Sequence, residues 1–440
     1  MIRDLNEINE VIKDLKNRNF NEALKKLKKV IIIDSNRNLT CKLFASIYFQ
    51  KKEWISSIKY YEQMLFFENE KFRIFNSIGV ALFNLGKINE SIAAYKKAIK
   101  ENLNFDLAYN NLGISYRELG INVEAVNSFV HALNLNSNNQ SAKNNLINIF
   151  LIAKTDNING HFLVKINNKI KNIDNKININ NSIKLDDIKN ILDESENIIN
   201  DSLKEINFNE TQIFRRNSEN LNCNRHFKVF NEFNIIPKYC FSCYKVQINL
   251  INVYDLIRLY FVFDKLSLER NNIRKCITEI RQNIKGNYKG YIYCDSIDEA
   301  KKIFDKISNI LNKIEFNNFK ITIKHGCSEF YESYPDYQII NFAGNNPIVY
   351  NKNWSEKESN FDNSIPIRTE LDKKQIHKSL QGINLSDILI IKNWICYAAI
   401  IGDFSYKKIY NKEIKSSFIN NILKPQLAFR KKALLEQENS

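Results

Sequence analysis

Four sets of residues in this chain recur at one interval of 34. Ala45, Gly79 and Gly113 form one set, and Ala23, Ser57, Ser91 and Ala125 a second; Tyr61, Tyr95 and Phe129 form a third, and Met64, Ala98 and Ala132 a fourth. A small residue that returns at a fixed step, with an aromatic at a fixed distance behind it, constrains the fold more than any other feature. Each interval holds two helices and a turn, and units that cannot bury their apolar faces alone must stack on one another. The small residues mark where the two helices of a unit cross, and the aromatics fill the gap to the next unit. Gly86 and Gly120 fall where first helices end, where a residue without a Cβ takes the left-handed turn. The expectation is an all-α solenoid over 1–153, about four helix pairs closed by the apolar helix SAKNNLINIFLIA (141–153).

The stretches SIGVALFNLGKINESIAAYKKAI and NLGISYRELGINVEAVNSFVHAL resemble tetratricopeptide (TPR) repeats. The likeness covers about a third of the chain; it is fair in FASIYFQKKEWISSIKYYEQML and weak in the first unit. The tryptophan common early in the repeat is absent, and Asn69, Leu103 and Ser137 replace the closing proline. The resemblance implies a scaffold that holds a protein or peptide partner in a concave groove lined by the first helix of each unit, at Lys42, Phe49, Asn76, Phe83, Asn110 and Arg117. Basic, amide and aromatic groups together suit an extended peptide with an acidic end. The carboxylate clamp of chaperone-tail binders is not reproduced, because Ser46 and Ser77 stand where asparagines are needed. The bland alternative is a spacer that only stacks.

Composition narrows the class. The formal net charge of +15 favours acidic partners, but the excess is spread along a chain saturated with Lys, Asn and Ile, so it weighs little. The N-terminal MIRDLNEINEVIKDL lacks a signal-peptide core, and the apolar stretch 385–406 carries Asp387, Lys392 and Asp403, which breaks a membrane span. A cytoplasmic protein with reduced thiols and no membrane partner is expected. Residues 154–216 read as a linker: Asp156 to Asn181 is polar and repetitive, and an amphipathic helix near 182–206 sets Leu185, Ile188, Ile191, Leu192, Ile198, Ile199 and Leu203 on one face.

Cysteines cluster next. Cys223-x2-His226 and Cys240-x2-Cys243 supply the four nitrogen and sulfur donors of a closed, structural zinc site. A redox CxxC needs its first cysteine at a helix N-terminus behind a strand, whereas here the strand-like YKVQINL follows the motif. Unrelated buried thiols are the third reading. Downstream, YKVQINL, RKCITEIR, KGYIYCD and FKITIKHG read as strands; VYDLIRLYFVFDKL and SIDEAKKIFDKISNILNK, with Ser296 as N-cap, read as helices. That order, βαββαβ, is the ferredoxin-like pattern, giving a zinc knot plus α+β domain over 217–328.

Alternation turns Val246, Ile248, Ile292, Ile321 and Ile323 toward the helices, and leaves Lys245, Gln247, Arg281, Tyr291, Tyr293 and Lys324 on the open face. Tyrosines among basic residues on a sheet could stack the bases of single-stranded RNA; KGYIYCD faintly resembles the third-strand signature of RNA-recognition modules. The competing expectation, and the favoured one, is that this face packs on the C-terminal region. Cys276, Cys294 and Cys327 fall on or just after strands, as buried thiols do, and His325 lies near Cys327 without an orienting third group.

Residues 329–435 form a loop-rich and helical extension packed on the α+β domain, with Trp394, Tyr397 and Phe404 as core anchors and a frayed tail LLEQENS. This C-terminal module resembles a domain linked to TPR proteins, from which no activity follows. Glycine-rich phosphate loops, serine elbows and H-E-x-x-H are absent from the sequence. The reading is a multidomain adaptor: a TPR array that binds a protein partner, joined to a zinc-stapled α+β interaction module. The alternatives are nucleic-acid binding through the basic sheet face and an enzyme of unspecified reaction.

Overall fold

The computed structural model describes residues 2–30, 37–158, 160–173, 177, 183–199, 208–281, 284–316, 318–340, 347–364, 377–412 and 423–438. They divide into two compact units, one reaching to Ile149 and the other beginning at Phe150.

The first unit is helical throughout. Its pairs are α1 (Ile2–Lys16) with α2 (Phe20–Leu27), α3 (Arg37–Gln50) with α4 (Trp54–Met64), α5 (Lys71–Asn84) with α6 (Ile88–Glu101), and α7 (Asp106–Leu119) with α8 (Asn122–Leu135); α9 (Gln140–Ile149) packs on the last pair. The 34-residue period is written into its packing. Ala23, Ser57, Ser91 and Ala125 are all 0% exposed. A Cβ on Gly79 would stand 2.5 Å from the ring of Tyr95, and one on Gly113 would stand 2.6 Å from the ring of Phe129, so the missing side chain lets the aromatic close the helix crossing. Gly86 and Gly120 take φ of 82° and 76°, the left-handed turn expected of them. The same turn extends into the units where the sequence signal fades: Arg18 and Lys52, each 34 residues earlier, adopt φ of 59° and 60°. These two positions accept the roughly 1–2 kcal/mol that a Cβ costs in this conformation, so stacking sets the turn even without glycine.

The second unit is built on a five-stranded antiparallel sheet in the order β1-β3-β4-β2-β5, with β1 Gln212–Arg215, β2 Tyr244–Leu250, β3 Arg274–Thr278, β4 Tyr288–Cys294 and β5 Phe319–His325. Helices α13 (Val253–Lys265) and α14 (Ile297–Lys313) connect β2 to β3 and β4 to β5, and both pack on the sheet. Val246, Ile248 and Ile292 are fully buried under them, while Ile321 and Ile323, on the edge strand, are half-buried. A Cβ on Gly290 would lie 2.4 Å from Leu259, so β4 lets α13 approach at that point. Ser296 caps α14, its hydroxyl accepting from the Glu299 amide at 3.1 Å. The four-residue β1, too short to signal itself by alternation, pairs with the edge of β3.

Several segments differ from their sequence reading. Helix α10 (Phe162–Lys171) occupies part of the stretch read as a flexible linker; Leu163, Val164, Ile166 and Ile170 alternate at helical spacing and are buried. Helix α11 (Leu185–Ile199) is the amphipathic helix, and it docks within its own unit: Glu196 pairs with Lys392 at 2.7 Å; the expected Leu203 lies outside the described residues. Helix α15 spans Lys352–Ser364, and helix α16 (Leu385–Ile401) is one continuous helix with Trp394 and Tyr397 fully buried, but Phe404 is 61% exposed, because Gly402 ends the helix with a left-handed turn that leads into a short 3-10 segment. Of the tail, LLEQE continues the last helix, Leu427–Glu438, rather than fraying. The connection 365–376 lies outside the described residues.

A buried ionic knot joins β1, α13 and α16. The Arg215 guanidinium, 4% exposed, donates through Nε to Asp264 at 2.7 Å and through Nη2 to Asp387 at 2.9 Å. Tyr260 donates its hydroxyl to the same Asp387 oxygen at 3.0 Å, and Asp387 also closes the capping box of α16 with Asn384.

Candidate functional site

In the repeat unit, the first helices are tied to one another by carboxamides. Asn111 on α7 donates to Asn76 on α5 at 2.9 Å, and Asn145 on α9 donates to Asn110 on α7 at 2.9 Å. Asn110 is therefore buried, 5% exposed, with its oxygen already committed. Phe83 packs against the cluster of Ile88, Ile92, Tyr95 and Leu112, and Phe49 meets Trp54 and Tyr61 edge-on, so both aromatics fill the space between paired helices. Lys42 is exposed, and Arg117 is half-buried. Of the six groove residues read from the sequence, Lys42 is the one left exposed, while Phe49, Asn76, Phe83 and Arg117 are half-buried and Asn110 is buried; the Asn76–Asn111 contact became visible only when the helices stacked.

The cysteine-rich stretch folds differently from a C-x2-H plus C-x2-C clamp. Cys223 opens α12 (Cys223–Phe233), and Cys240 lies in a 3-10 turn that Cys243 closes before β2 begins. His226 is drawn out of the set: its ring stacks on Tyr239 at 5.3 Å, and its charged neighbours are Arg225, Glu358 and Asp362. Burial, with Arg225 adding to it, lowers its pKa to about 4. Cys327 takes its place beside the thiols. The Gly326 amide donates to the Cys243 carbonyl at 2.7 Å, bringing the end of β5 to the start of β2, and the Lys245 ammonium donates to the Cys327 sulfur at 3.1 Å. Burial, and then the neighbouring sulfurs, raise the pKa of Cys223 and Cys240, and push that of Cys243 up to about 12. A redox thiol needs the opposite shift. The eight cysteines are free, and among the described residues no group of three or more His, Cys, Asp or Glu stands in an arrangement that would hold a metal ion. His325 does not pair with Cys327, since both its ring nitrogens face backbone carbonyls, of Tyr337 and Phe241, at 2.9 Å each.

Lys245, Gln247, Tyr291, Tyr293 and Lys324 lie in the ladder on the face turned from the helices, whereas Arg281 falls beyond β3, which ends at Thr278. Lys245 lies over the ring of Tyr293 at 5.2 Å and Lys275 over that of Tyr291 at 5.5 Å. The tyrosines are thus covered by lysines of the same face and present no open platform for stacking bases. Arg281, at the end of the face, is held by Glu279 at 2.9 Å and Glu329 at 3.0 Å. Lys275 and Lys289 were not singled out in the sequence, because a lone lysine in a strand carries no signal until its neighbours are known.

The first unit belongs to the class of helical-repeat arrays. Residues 79–120, within the helical array of the first unit, match the TPR repeat family. Among solved structures, the chain is similar to MamA (20% identity, TM-score 0.29, 31% of this chain and 81% of that one), to the first TPR of Spaghetti (RPAP3) bound to an HSP90 peptide (24%, 0.25, 27% and 94%), and to Pseudomonas aeruginosa pilF (19%, 0.30, 33% and 67%). No curated protein matches the chain. Among the described residues, no helix is long and apolar enough to cross a membrane.

Proposed function

We propose that the protein is a protein-interaction scaffold whose TPR array captures a protein or peptide partner. The observation that carries this reading is the TPR match, together with a stack of first helices held in line by the Asn76–Asn111 and Asn110–Asn145 bonds. Such a ladder fixes the spacing of one face, and Lys42 and Arg117 give that face a positive character suited to an acidic peptide. The second unit supplies a further interaction module. Its βαββαβ element order, and the strand order β3-β4-β2-β5, support placing it in the ferredoxin-like class.

The test is affinity capture with the full chain, read by quantitative mass spectrometry, beside a K42A/R117A double variant. A partner enriched by the parent should be lost in the variant while helicity is kept. Equal capture by both proteins would remove the groove from the explanation.

Zinc is proposed for the second unit, with Cys223, Cys240, Cys243 and Cys327 as donors. Support comes from the donor type: Cys327, Cys243 and Cys223 lie near enough to Cys240 to raise its pKa, and sulfur is a donor that zinc prefers. Loading requires the side chains to turn toward a common centre.

A further inference from the structure

On the sheet face turned away from α13 and α14, the register sets Lys245 directly opposite Lys324, and Lys275 opposite Tyr291. Like charges opposite each other across a sheet are destabilising. Among the described residues no carboxylate lies within salt-bridge distance of Lys245, Lys275 or Lys324; the buried acid of this face, Glu279, is taken up by Arg281 at 2.9 Å and Lys289 at 3.3 Å. The three ammonium groups lie over Tyr293, Tyr291 and Tyr331, and their side-chain hydrogen bonds go to groups other than carboxylates: Lys245 donates to the Cys327 sulfur at 3.1 Å and Lys275 to the Gln212 oxygen at 3.3 Å. Burial, followed by the charge of Lys245, lowers the pKa of Lys275 to about 8 and lowers that of Lys324 as well.

A second observation is independent of charge. Gln247 sits at the centre of the same face, between Tyr291 and Thr322, and is 8% exposed. Its amide nitrogen donates to Asn249 at 2.7 Å, while its buried oxygen has no hydrogen-bond partner. A buried acceptor without a donor is costly, and native proteins rarely leave one. The face therefore holds cations without an anion and an acceptor without a donor.

We propose that this sheet face, at Lys245, Lys275, Lys324, Gln247 and Tyr291, binds a small phosphorylated molecule that also carries a hydroxyl or N–H donor. The phosphoryl oxygens take the ammonium groups, which attract them as point charges, and the donor satisfies the Gln247 oxygen. A nucleic-acid strand fits less well, because the tyrosine rings that would stack its bases are already covered.

The experiment is calorimetric titration of the full chain with AMP, with inorganic phosphate and with a fifteen-nucleotide single-stranded DNA. AMP should bind, inorganic phosphate should bind more weakly because it brings no base or ribose donor, and K275M and K324M should each weaken AMP by about tenfold or more, the scale of a lost charge-assisted hydrogen bond. Both variants remove a repelling charge, so the unliganded Tm should hold or rise, which separates lost binding from lost folding. The proposal is overturned if neither AMP nor phosphate binds at millimolar concentration, if both variants bind AMP as the parent does, or if the DNA binds and AMP does not.

Discussion

The buried knot at Arg215 allows a sharp test of what holds the second unit together. Consider Asp387→Asn, which keeps the size and shape of the side chain. Every group around the Asp387 carboxylate is a donor: Arg215 Nη1 at 3.2 Å, Arg215 Nη2 at 2.9 Å, the Tyr260 hydroxyl at 3.0 Å and the Asn384 amide at 3.2 Å. An amide must place its own NH2 among these donors, so at least one bond is lost in either orientation, together with the charge opposite a fully buried guanidinium. Asp264, at 2.7 Å, still partners Arg215, which keeps the loss toward the lower part of the ~3–5 kcal/mol typical of a broken buried pair. Tyr260→Phe is the internal control. Arg215 and Asp387 each keep other partners there, so the cost should be about 1 kcal/mol. Because a domain is stable by only about 5–15 kcal/mol, the first change should move the urea midpoint far more than the second. Trp394 in α16 is fully buried and donates its indole N–H to Thr211 at 2.8 Å, so its fluorescence, in a background with Trp54 and Trp354 replaced by Phe, reports on this unit. If Asp387→Asn cost no more than Tyr260→Phe, the argument from a desolvated ion pair would be wrong.

Two further outcomes are expected. The His226 imidazole, with a pKa lowered from 6.5 to about 4, should remain neutral in the folded protein at pH 5; its contribution to stability is fully present above 6.5 and is lost as pH falls toward 4, because the unfolded chain takes up the proton first. Titration of the His226 ring by NMR checks this, and a folded-state pKa near 6.5 would show the ring to be solvated. Elemental mass spectrometry of the purified chain should find one zinc, retained in His226→Gln and lost in both Cys243→Ser and Cys327→Ser. A metal-free parent protein would end the zinc proposal.

How much was legible in the sequence depended on the range of the interaction. The repeat register, the Gly86 and Gly120 turns, the Ser296 cap and the four strands of the βαββαβ order are all set by residues within a few positions of one another. They follow from period, capping and alternation. The first two repeats were readable only in part, because Arg18 and Lys52 occupy left-handed turns that their side chains do not advertise. Helix α10 was missed because its asparagines and lysines mask a buried stripe of Leu163, Val164, Ile166 and Ile170.

The candidate sites show the same division. Local spacing paired Cys223 with His226 and Cys240 with Cys243, but spacing along the chain does not fix which side chains meet. A ring stack on Tyr239 removed the histidine, and the joining of β5 to β2 brought in Cys327 from 84 residues beyond Cys243. Alternation alone assigned Lys245, Gln247, Tyr291 and Lys324 to one sheet face. Only strand order and register set Lys245 against Lys324, laid Lys275 over Tyr291 and left the Gln247 oxygen without a donor. By itself, then, the sequence determined the helical array, the order of elements in the second unit and the chemistry available on each face. Tertiary structure decided which of those groups became neighbours, because charge, hydrogen-bond satisfaction and desolvation depend on distance in space.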